Sequence, residues 1–96
     1  MPLAHELVTR RAEIARTAAL HGAISIRVFG SATRGDLRRD SDIDFLVVME
    51  PDRSLLDHVA LKQDLEDLLG RPVDVVTERS LHPLLRDRVL AEAVPL

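Results

Sequence analysis

Apolar residues recur at helical spacing near the start of the chain. Successive members of this set are four or seven positions apart, which puts them on one face of an amphipathic helix. The pattern predicts a single helix from Leu3 to His21. The apolar positions that define this helix are Leu3, Leu7, Ile14 and Ala18.

A strand pattern follows the helix. Gly22 stands where a glycine commonly ends a helix, and residues 23–29 then alternate between two kinds of side chain. Ile24, Ile26 and Val28 would face one side of a sheet, with the residues between them on the other.

A polar stretch separates this strand from the next. Gly30 and Ser31 interrupt the first strand, and Ala32 to Ser41 predict a short helical turn followed by a loop. Ile43 to Met49 (IDFLVVM) is nearly continuous in apolar residues, which is typical of a buried strand. Pro51 ends it.

A second amphipathic helix precedes a third strand. Ser54 and Asp57 resemble a capping box at its start, and Gly70 and Pro72 mark its end. Val73 to Thr77 (VDVVT) then predicts a short strand. The apolar stripe of the helix comprises Leu61, Leu65, Leu68 and Leu69, with Leu55 or His58 behind them.

The end of the chain predicts a last helix capped by Ser80. Its inner side would carry Leu81, Leu84, Leu85, Val89 and Ala93. Three strands covered by helices predict an α/β fold, with a small mixed sheet of about three strands flanked by helices. A length of 96 residues leads us to expect one domain spanning residues 1–96.

Composition and charge exclude several classes of function. The net charge is −3, whereas proteins that bind duplex nucleic acid usually carry a basic excess. The only aromatic residues, Phe29 and Phe45, lie inside apolar runs and offer no platform for stacking bases. We therefore expect no direct nucleic-acid binding.

Location and redox chemistry follow by elimination. No apolar run approaches the roughly 20 residues that cross a bilayer, and no secretory signal is visible at the N-terminus. Without cysteine there is no disulfide and no thiolate metal site. These features predict a cytoplasmic protein with no membrane partner. The four histidines show no mutual ligand spacing and are expected at the surface or at helix ends.

Asp42 and Asp44 are the first candidates for chemistry. They are two positions apart at the start of a strand, so their side chains would share one face, roughly 6.6 Å apart at Cα. Two like charges repel unless a cation lies between them, and Mg²⁺ typically takes one or two carboxylates together with substrate phosphates. The alternative is a strand end open to solvent, where acidic side chains are harmless.

Asp74 is a third candidate, because it lies between two valines of the third strand. A neighbouring strand could bring it beside the first two acids. Three carboxylates at the ends of two strands would suit two metal ions about 3.5–4 Å apart, the arrangement that drives in-line phosphoryl chemistry. The alternative is a lone strand acid paired with an arginine.

Gly30 and Ser31 are candidates for binding phosphate. Glycine permits close approach of the backbone, and free N–H groups at the start of a helical turn attract phosphate. Ser31 can add its hydroxyl, and Arg34 lies one turn further on, within reach of a triphosphate. The alternative is an ordinary turn.

Two stretches together resemble the signature of the minimal nucleotidyltransferases, within the DNA polymerase beta-like nucleotidyltransferase superfamily. They are Gly30–Gly35 (GSATRG) and Ser41–Val48 (SDIDFLVV). Val73–Val76 (VDVV) is similar to the third-acid strand of that family, and residues 82–94 are similar to its closing helix. The resemblance covers nearly the whole chain, least specifically in residues 3–19.

The resemblance implies a polymerase beta-like core and a role for each matching residue. Asp42 and Asp44 would bind the metal ions, Mg²⁺ or Mn²⁺. Asp74 would help to activate the acceptor hydroxyl, as a base or as a further metal contact. The implied nucleotide site, which would hold ATP, comprises Gly30, Ser31, Arg34 and Ser41.

The resemblance also implies a partner. Family members of this size are often antitoxins of a HEPN-domain toxin, and some transfer AMP from ATP onto it. We therefore expect transfer to a hydroxyl of such a toxin, a tyrosine. Independently, the nucleotide-binding core consumes almost every residue, so the acceptor must come from another protein or from a second copy, which leaves a homo-oligomer open. The chain has no tyrosine and cannot modify itself on one.

Two alternatives remain beside an active adenylyltransferase. The first is an antitoxin that acts by occlusion with a vestigial nucleotide site, although binding alone does not need three clustered carboxylates. The second is a small-molecule nucleotidyltransferase of the aminoglycoside-modifying type, against which the missing acceptor domain counts.

Overall fold

The computed structural model describes residues 3–35 and 37–96. Asp36, which belongs to the predicted loop, and residues 1 and 2 of the expected domain lie outside the described residues. The helices are α1 (His5–Thr9), α2 (Arg11–Leu20), α3 (Ser31–Arg34), α4 (Leu55–Leu69) and α5 (Pro83–Glu92), with a 3-10 turn at Glu78–Ser80. The strands are β1 (Ala23–Phe29), β2 (Ile43–Met49), β3 (Val73–Thr77) and β4 (Val94–Pro95).

The strands form one mixed sheet in the order β3-β2-β1-β4. β2 is parallel to β3, whereas β1 is antiparallel to both of its neighbours. The C-terminal end of β1 therefore lies beside the N-terminal ends of β2 and β3, at one end of the sheet. This arrangement confirms the predicted α/β fold with a small mixed sheet. It also places the predicted site residues at or next to one end of that sheet.

One face of the sheet packs against α2 and α4. Ile43, Phe45 and Val47 are fully buried in one cluster with Leu61 and Leu65 of α4. Because side chains alternate along a strand, the other face carries Asp44 and its even-numbered neighbours. Burial of Ile43, Phe45 and Val47, each of which contributes ~1.5–3 kcal/mol, therefore directs Asp44 to the opposite face, which it shares with the fully buried Leu46.

The N-terminal segment was predicted as one continuous helix, and this prediction is wrong. It is divided into α1 and α2 at Arg10, whose φ of −109° and ψ of 16° leave the helical region. The break turns α1 so that Ala4 N–H donates to Ala32 O at 3.1 Å and Glu6 reaches Arg71. Tertiary contacts of this kind override a weak local helical preference.

Ile24 was predicted on the same side as Ile26 and Val28, and this is wrong. Its side chain is 65% exposed, while Ile26 and Val28 are buried. The pairing with β2 shifts register between Ala23 and Ser25. Such a bulge breaks the two-residue alternation locally, so the inward pattern begins only at Ile26.

The predicted start and end of α4 are confirmed. Ser54 and Asp57 form the reciprocal capping box, with the Ser54 N–H donating to Asp57 Oδ2 at 2.9 Å. Gly70 ends the helix in the left-handed conformation. Of the two candidates behind the apolar stripe, His58 is half-buried, whereas Leu55 is 76% exposed.

Side chains of α4 also protect the edge strand of the sheet. Glu66 Oε2 accepts the Val73 N–H at 3.0 Å, and His58 Nε2 lies 2.8 Å from Val75 O. Both backbone groups face the open side of β3, where an unpaired strand edge would invite pairing with another chain. His58 is therefore more than the surface histidine predicted from the sequence, whereas His21 and His82 flank helix ends as expected.

The last helix starts later than predicted. Ser80 belongs to the 3-10 turn and donates to Thr77 O at 2.9 Å, so it does not cap α5. His82 is the cap, and its ring accepts the Leu84 N–H. Pro83 explains the start, because proline favours the first helical position and forces the preceding residue into an extended conformation.

The predicted inner side of α5 is also wrong, since Leu84 is 86% exposed and Leu85 is 52% exposed. Val89 alone of that set is buried, while Leu81 and Ala93 are half-buried.

The short strand β4 was not predicted, because two residues ending in proline carry no alternation. It pairs with the outer edge of β1, a position that tolerates proline. No helix within residues 3–35 and 37–96 has the length and apolar character to cross a membrane.

Candidate nucleotide-transfer site

The sheet brings the predicted acids together. Asp44 of β2 is the register partner of Asp74 in the parallel strand β3 and of Phe29 in the antiparallel strand β1. Neighbouring strands are ~4.8 Å apart, so the Asp44 and Asp74 backbones lie side by side. Asp42 is exposed just before β2 begins, two positions from Asp44.

Gly30 packs against the Asp44 side chain. Its φ of 77° and ψ of −150° belong to a region that only glycine occupies without strain. A Cβ at this position would lie under 3.0 Å from Asp44 Oδ2. The absence of a side chain at residue 30 therefore lets the Asp44 carboxylate rest against the backbone between β1 and α3.

The turn after Gly30 is held by hydrogen bonds from Thr33. The backbone N–H of Thr33 donates to Gly30 O at 3.0 Å and its hydroxyl donates to the same carbonyl at 2.8 Å. Thr33 is buried, whereas Ser31 is half-buried at the first position of α3. Ser31 thus directly follows the glycine that the Asp44 carboxylate contacts.

Arg34 forms an ion pair with Glu92 at the end of α5. Glu92 also lies 3.5 Å from the Thr33 hydroxyl, so α5 is tied to α3 beside the acids. At the other end of α5, Arg86 donates to Glu78 O at 2.9 Å. The helix therefore extends from the far end of the sheet to the site.

The site carries a concentrated negative charge. Burial raises the pKa of Asp44 above its ordinary value of 3.8, and the charges of Asp74, Asp42 and Glu92 raise it further. The guanidinium of Arg34 acts in the opposite direction. The charges of Asp42, Asp74, Glu92 and Arg34 consequently all act on Asp44.

The segment before Asp42 is a tight turn. The Ser41 N–H donates to Arg38 O at 3.1 Å, and the Ser41 hydroxyl accepts the Arg38 N–H at 3.0 Å. The side chain of Arg71 donates to the carbonyls of both residues. The Ser41 hydroxyl, predicted in the nucleotide site, thus also shapes the approach to Asp42.

A cavity of about 590 Å³ lies at the opposite end of the sheet, lined by residues that include Met49, Arg53, His58 and Thr77. None of the seven predicted site residues lines it. Among the residues that the structure describes, no three His, Cys, Asp or Glu side chains form a group arranged to hold a metal ion on its own.

Sequence reasoning missed three contributors to this end of the sheet. Glu92 was noted only as part of the closing helix, and no local pattern distinguishes it from Asp87. Thr33 lay inside the recognised GSATRG stretch without a role of its own. Arg71 followed a helix-ending glycine, and nothing in its neighbourhood indicated a contact 30 residues back in the chain.

The family follows from a comparison with known proteins. The family model described as the nucleotidyltransferase domain matches residues 12–96. The chain belongs to the nucleotidyltransferase family. This confirms the family that the GSATRG and SDIDFLVV stretches predicted, and the match contains Asp42, Asp44, Asp74 and Glu92.

Two named relatives are similar over most of their length. A protein of Methanocaldococcus jannaschii, provisionally named protein adenylyltransferase MJ0435, is 51% identical over 74 residues, which are 77% of this chain and 80% of the relative. Protein adenylyltransferase MntA of Thermococcus cleftensis is 45% identical over 73 residues, 76% of this chain and 74% of that protein.

Solved structures share the fold of this nucleotidyltransferase. One described provisionally as a minimal nucleotidyltransferase is 53% identical, with a TM-score of 0.87 over 100% of this chain and 97% of that one. A toxin–antitoxin structure with AMP-PNP is 27% identical, with a TM-score of 0.75 over 88% of this chain and 69% of that one. A complex of a tri-AMPylated Shewanella oneidensis HEPN toxin with its MNT antitoxin has a TM-score of 0.69 at 22% identity, which bears on the fold alone.

Proposed function

We propose that this nucleotidyltransferase is a protein adenylyltransferase antitoxin. It binds ATP with Mg²⁺ or Mn²⁺ and transfers AMP to a tyrosine hydroxyl of a cognate HEPN-domain toxin, which is thereby neutralised. The observation that carries the proposal is the register of Asp44 with Asp74 on adjacent parallel strands, against a glycine turn that begins at Gly30.

The donor set suits a hard divalent cation. Asp42 and Asp44 supply carboxylate oxygens from one end of one strand, and Asp74 stands beside them. Mg²⁺ commonly uses one or two carboxylates and completes its octahedron with water and substrate phosphates, so this acid cluster fits it. When bound, such an ion would neutralise the crowded carboxylates and the phosphate charge that develops during transfer.

The residues around Gly30 suit the triphosphate. The glycine turn brings backbone N–H groups close to an anion without obstruction by a side chain. Ser31 would add a hydroxyl donor, and Arg34, which pairs with Glu92 beside the acids, would bring a guanidinium to the phosphates. Ser41 would border the same site from the turn before Asp42.

Transfer requires one bond to form and one to break. The acceptor oxygen attacks the α-phosphorus of ATP, the bond from that phosphorus to the bridging oxygen of the β-phosphate breaks, and pyrophosphate leaves. The proton of the hydroxyl passes to a base, and we assign that role to Asp74. Asp74 is suited to it because it is exposed on the edge strand β3, open to a second molecule.

The acceptor is proposed from the relatives. Two of them are named protein adenylyltransferases, and a toxin–antitoxin structure with AMP-PNP is 27% identical to this chain. Added phosphate carries charge and hydrogen-bond acceptors. An AMP group near the active site of a HEPN toxin would therefore block RNA entry by bulk and repulsion.

Titration calorimetry with ATP tests the nucleotide half of the proposal. We expect wild-type protein to bind ATP in Mg²⁺ or Mn²⁺ and to lose that binding in EDTA. Asp44→Asn should lose the metal-dependent binding while its circular dichroism stays unchanged. Asp52→Asn, at an exposed acid in the turn after β2, is the matched control and should bind as wild type does. Equal ATP affinity with and without EDTA would contradict the proposal.

A further inference from the structure

Arg71 connects three parts of the chain that are distant in sequence. Its Nη1 donates to Arg38 O at 2.8 Å and to Ser41 O at 3.2 Å. Its Nη2 lies 2.8 Å from Glu6 Oε1. The Arg71 side chain is only 14% exposed, although that of Glu6 is 37% exposed, so the guanidinium itself is largely withdrawn from water.

The two carbonyls that Arg71 holds mark the first and last residues of the turn before Asp42. Within the turn, Arg38 and Ser41 already bond each other through a backbone and a side-chain hydrogen bond. The turn is thus a compact unit, and Arg71 fixes that unit to the segment that enters β3. Since Asp42 follows Ser41 directly, the position of the Ser41 carbonyl sets where the Asp42 backbone begins.

A second contact reinforces the same alignment. The Ile43 N–H donates to Pro72 O at 3.1 Å, directly beside Arg71 in sequence. Residues 71 and 72 therefore make hydrogen bonds with the residues on both sides of Asp42, namely Ser41 and Ile43. They do so from the segment that leads directly into β3, the strand that carries Asp74, so the spacing between Asp42 and Asp74 depends on this junction.

Glu6 holds the other end of the guanidinium. It lies on α1, outside the residues 12–96 that the family model matches. The same N-terminal segment also contacts the turn that follows Gly30, because the Ala4 N–H donates to Ala32 O. The N-terminal segment thus supports the site from two sides, although its sequence carries no chemistry of its own.

We propose that Arg71 is a positioning residue, oriented by Glu6, that sets the place of Asp42 for metal binding. The inference rests on the proposed function in so far as Asp42 is a metal ligand. Arginine is needed because its planar fork can donate to two carbonyls and a carboxylate at once, whereas the lysine ammonium is a compact point charge. Outer groups that orient metal ligands typically contribute a 10–100-fold effect on metal affinity.

The test compares Arg71→Met, Arg71→Lys and Glu6→Ala with wild type. Arg53→Met is the matched control, since Arg53 also makes ion pairs that join separate residues, Glu50 and Asp57, but at the other end of the sheet. Two quantities are measured well below the unfolding temperature. Hydrogen exchange of the peptide covering residues 38–42 reports the order of the turn, and electron paramagnetic resonance with AMP-PNP present reports the affinity for Mn²⁺.

We expect Arg71→Met to speed exchange in residues 38–42 and to weaken Mn²⁺ binding by about tenfold or more. Arg71→Lys and Glu6→Ala should lie between it and wild type, and Arg53→Met should change neither quantity even where it lowers the unfolding temperature equally. Wild-type exchange in Arg71→Met would overturn the inference whatever the metal result. Loss of ordering with unchanged Mn²⁺ affinity would also overturn it, whereas absence of Mn²⁺ binding by wild type itself would count against the proposed function.

Discussion

Gly30 and Asp44 lie in direct contact, with the carboxylate of Asp44 occupying the space where any other residue at position 30 would have its Cβ. The contact joins the end of β1 to the start of β2. It explains why a glycine stands before the helical turn independently of phosphate binding. Gly30 thereby allows the positive φ of the turn, leaves space for the Asp44 carboxylate and permits the proposed contact with the triphosphate.

Gly30→Ala should damage both stability and function. The left-handed backbone costs ~1–3 kcal/mol for a residue with a side chain, and the new methyl displaces Asp44 in addition. Gly70→Ala is the matched control, because its φ is also positive but no atom lies within 4 Å of the added Cβ. It should cost about 1–2 kcal/mol and leave ATP binding intact. Urea unfolding and calorimetry measure both, and normal ATP binding by Gly30→Ala would contradict the contact.

Asp44→Asn should be more stable than wild type in EDTA at neutral pH. The pKa of Asp44 is raised in the folded state by burial and by Asp74 and Asp42, so its ionisation opposes folding. As the pH falls through that raised pKa toward the ordinary value of 3.8, wild type regains the difference. Thermal unfolding across this range tests the sign, with Asp52→Asn as control. An advantage that grows on acidification would contradict the assignment.

Asp74→Asn separates binding from chemistry. If Asp74 acts as base, the variant should bind ATP and metal nearly as wild type does but lose AMP transfer by at least ~10²-fold, the usual contribution of a positioned base. Single-turnover transfer and calorimetry give the two quantities. Wild-type transfer by this variant would return Asp74 to a structural role.

The Arg34–Glu92 pair predicts opposite effects of two substitutions. Arg34→Met should weaken ATP binding, because the guanidinium proposed to contact the triphosphate is lost. Glu92→Gln should strengthen it several-fold, since a unit charge a few ångströms from the triphosphate costs ~1 kcal/mol or more near a protein surface. Calorimetry in Mg²⁺ distinguishes them. Equal weakening by both would mean that Glu92 holds Arg34 in place rather than competing for it.

The elements that sequence predicted well are those with a strong local cause. Ile43–Met49 is a strand because its odd positions must be buried, and α4 begins at the Ser54 capping box. The errors lie where contacts between residues distant in sequence determine the local structure or the exposure of a side chain. Neither the break at Arg10 nor the exposure of Leu84 has a local signal, since each depends on what the rest of the chain leaves to pack against.

The same division holds for the site. Asp42, Asp44 and Gly30 were found because their spacing marks them, and Asp74 because an acid between valines is unusual in a strand. Glu92 and Arg71 could not be found in this way. They reach the site through the topology of the sheet and the direction of α5, which become visible only when β1, β2 and β3 are assembled.

The most direct test of the account is the intact mass of the partner. A HEPN-domain toxin, the class of partner proposed above, is co-expressed with wild type, Asp42→Asn, Asp44→Asn or the Asp52→Asn control. The account predicts one or more AMP-sized additions on a toxin tyrosine with wild type and control, and none with the other two, together with loss of neutralisation. If no addition appears with wild type while Asp42→Asn and Asp44→Asn still neutralise the toxin fully, the chain acts by occlusion and the account is contradicted.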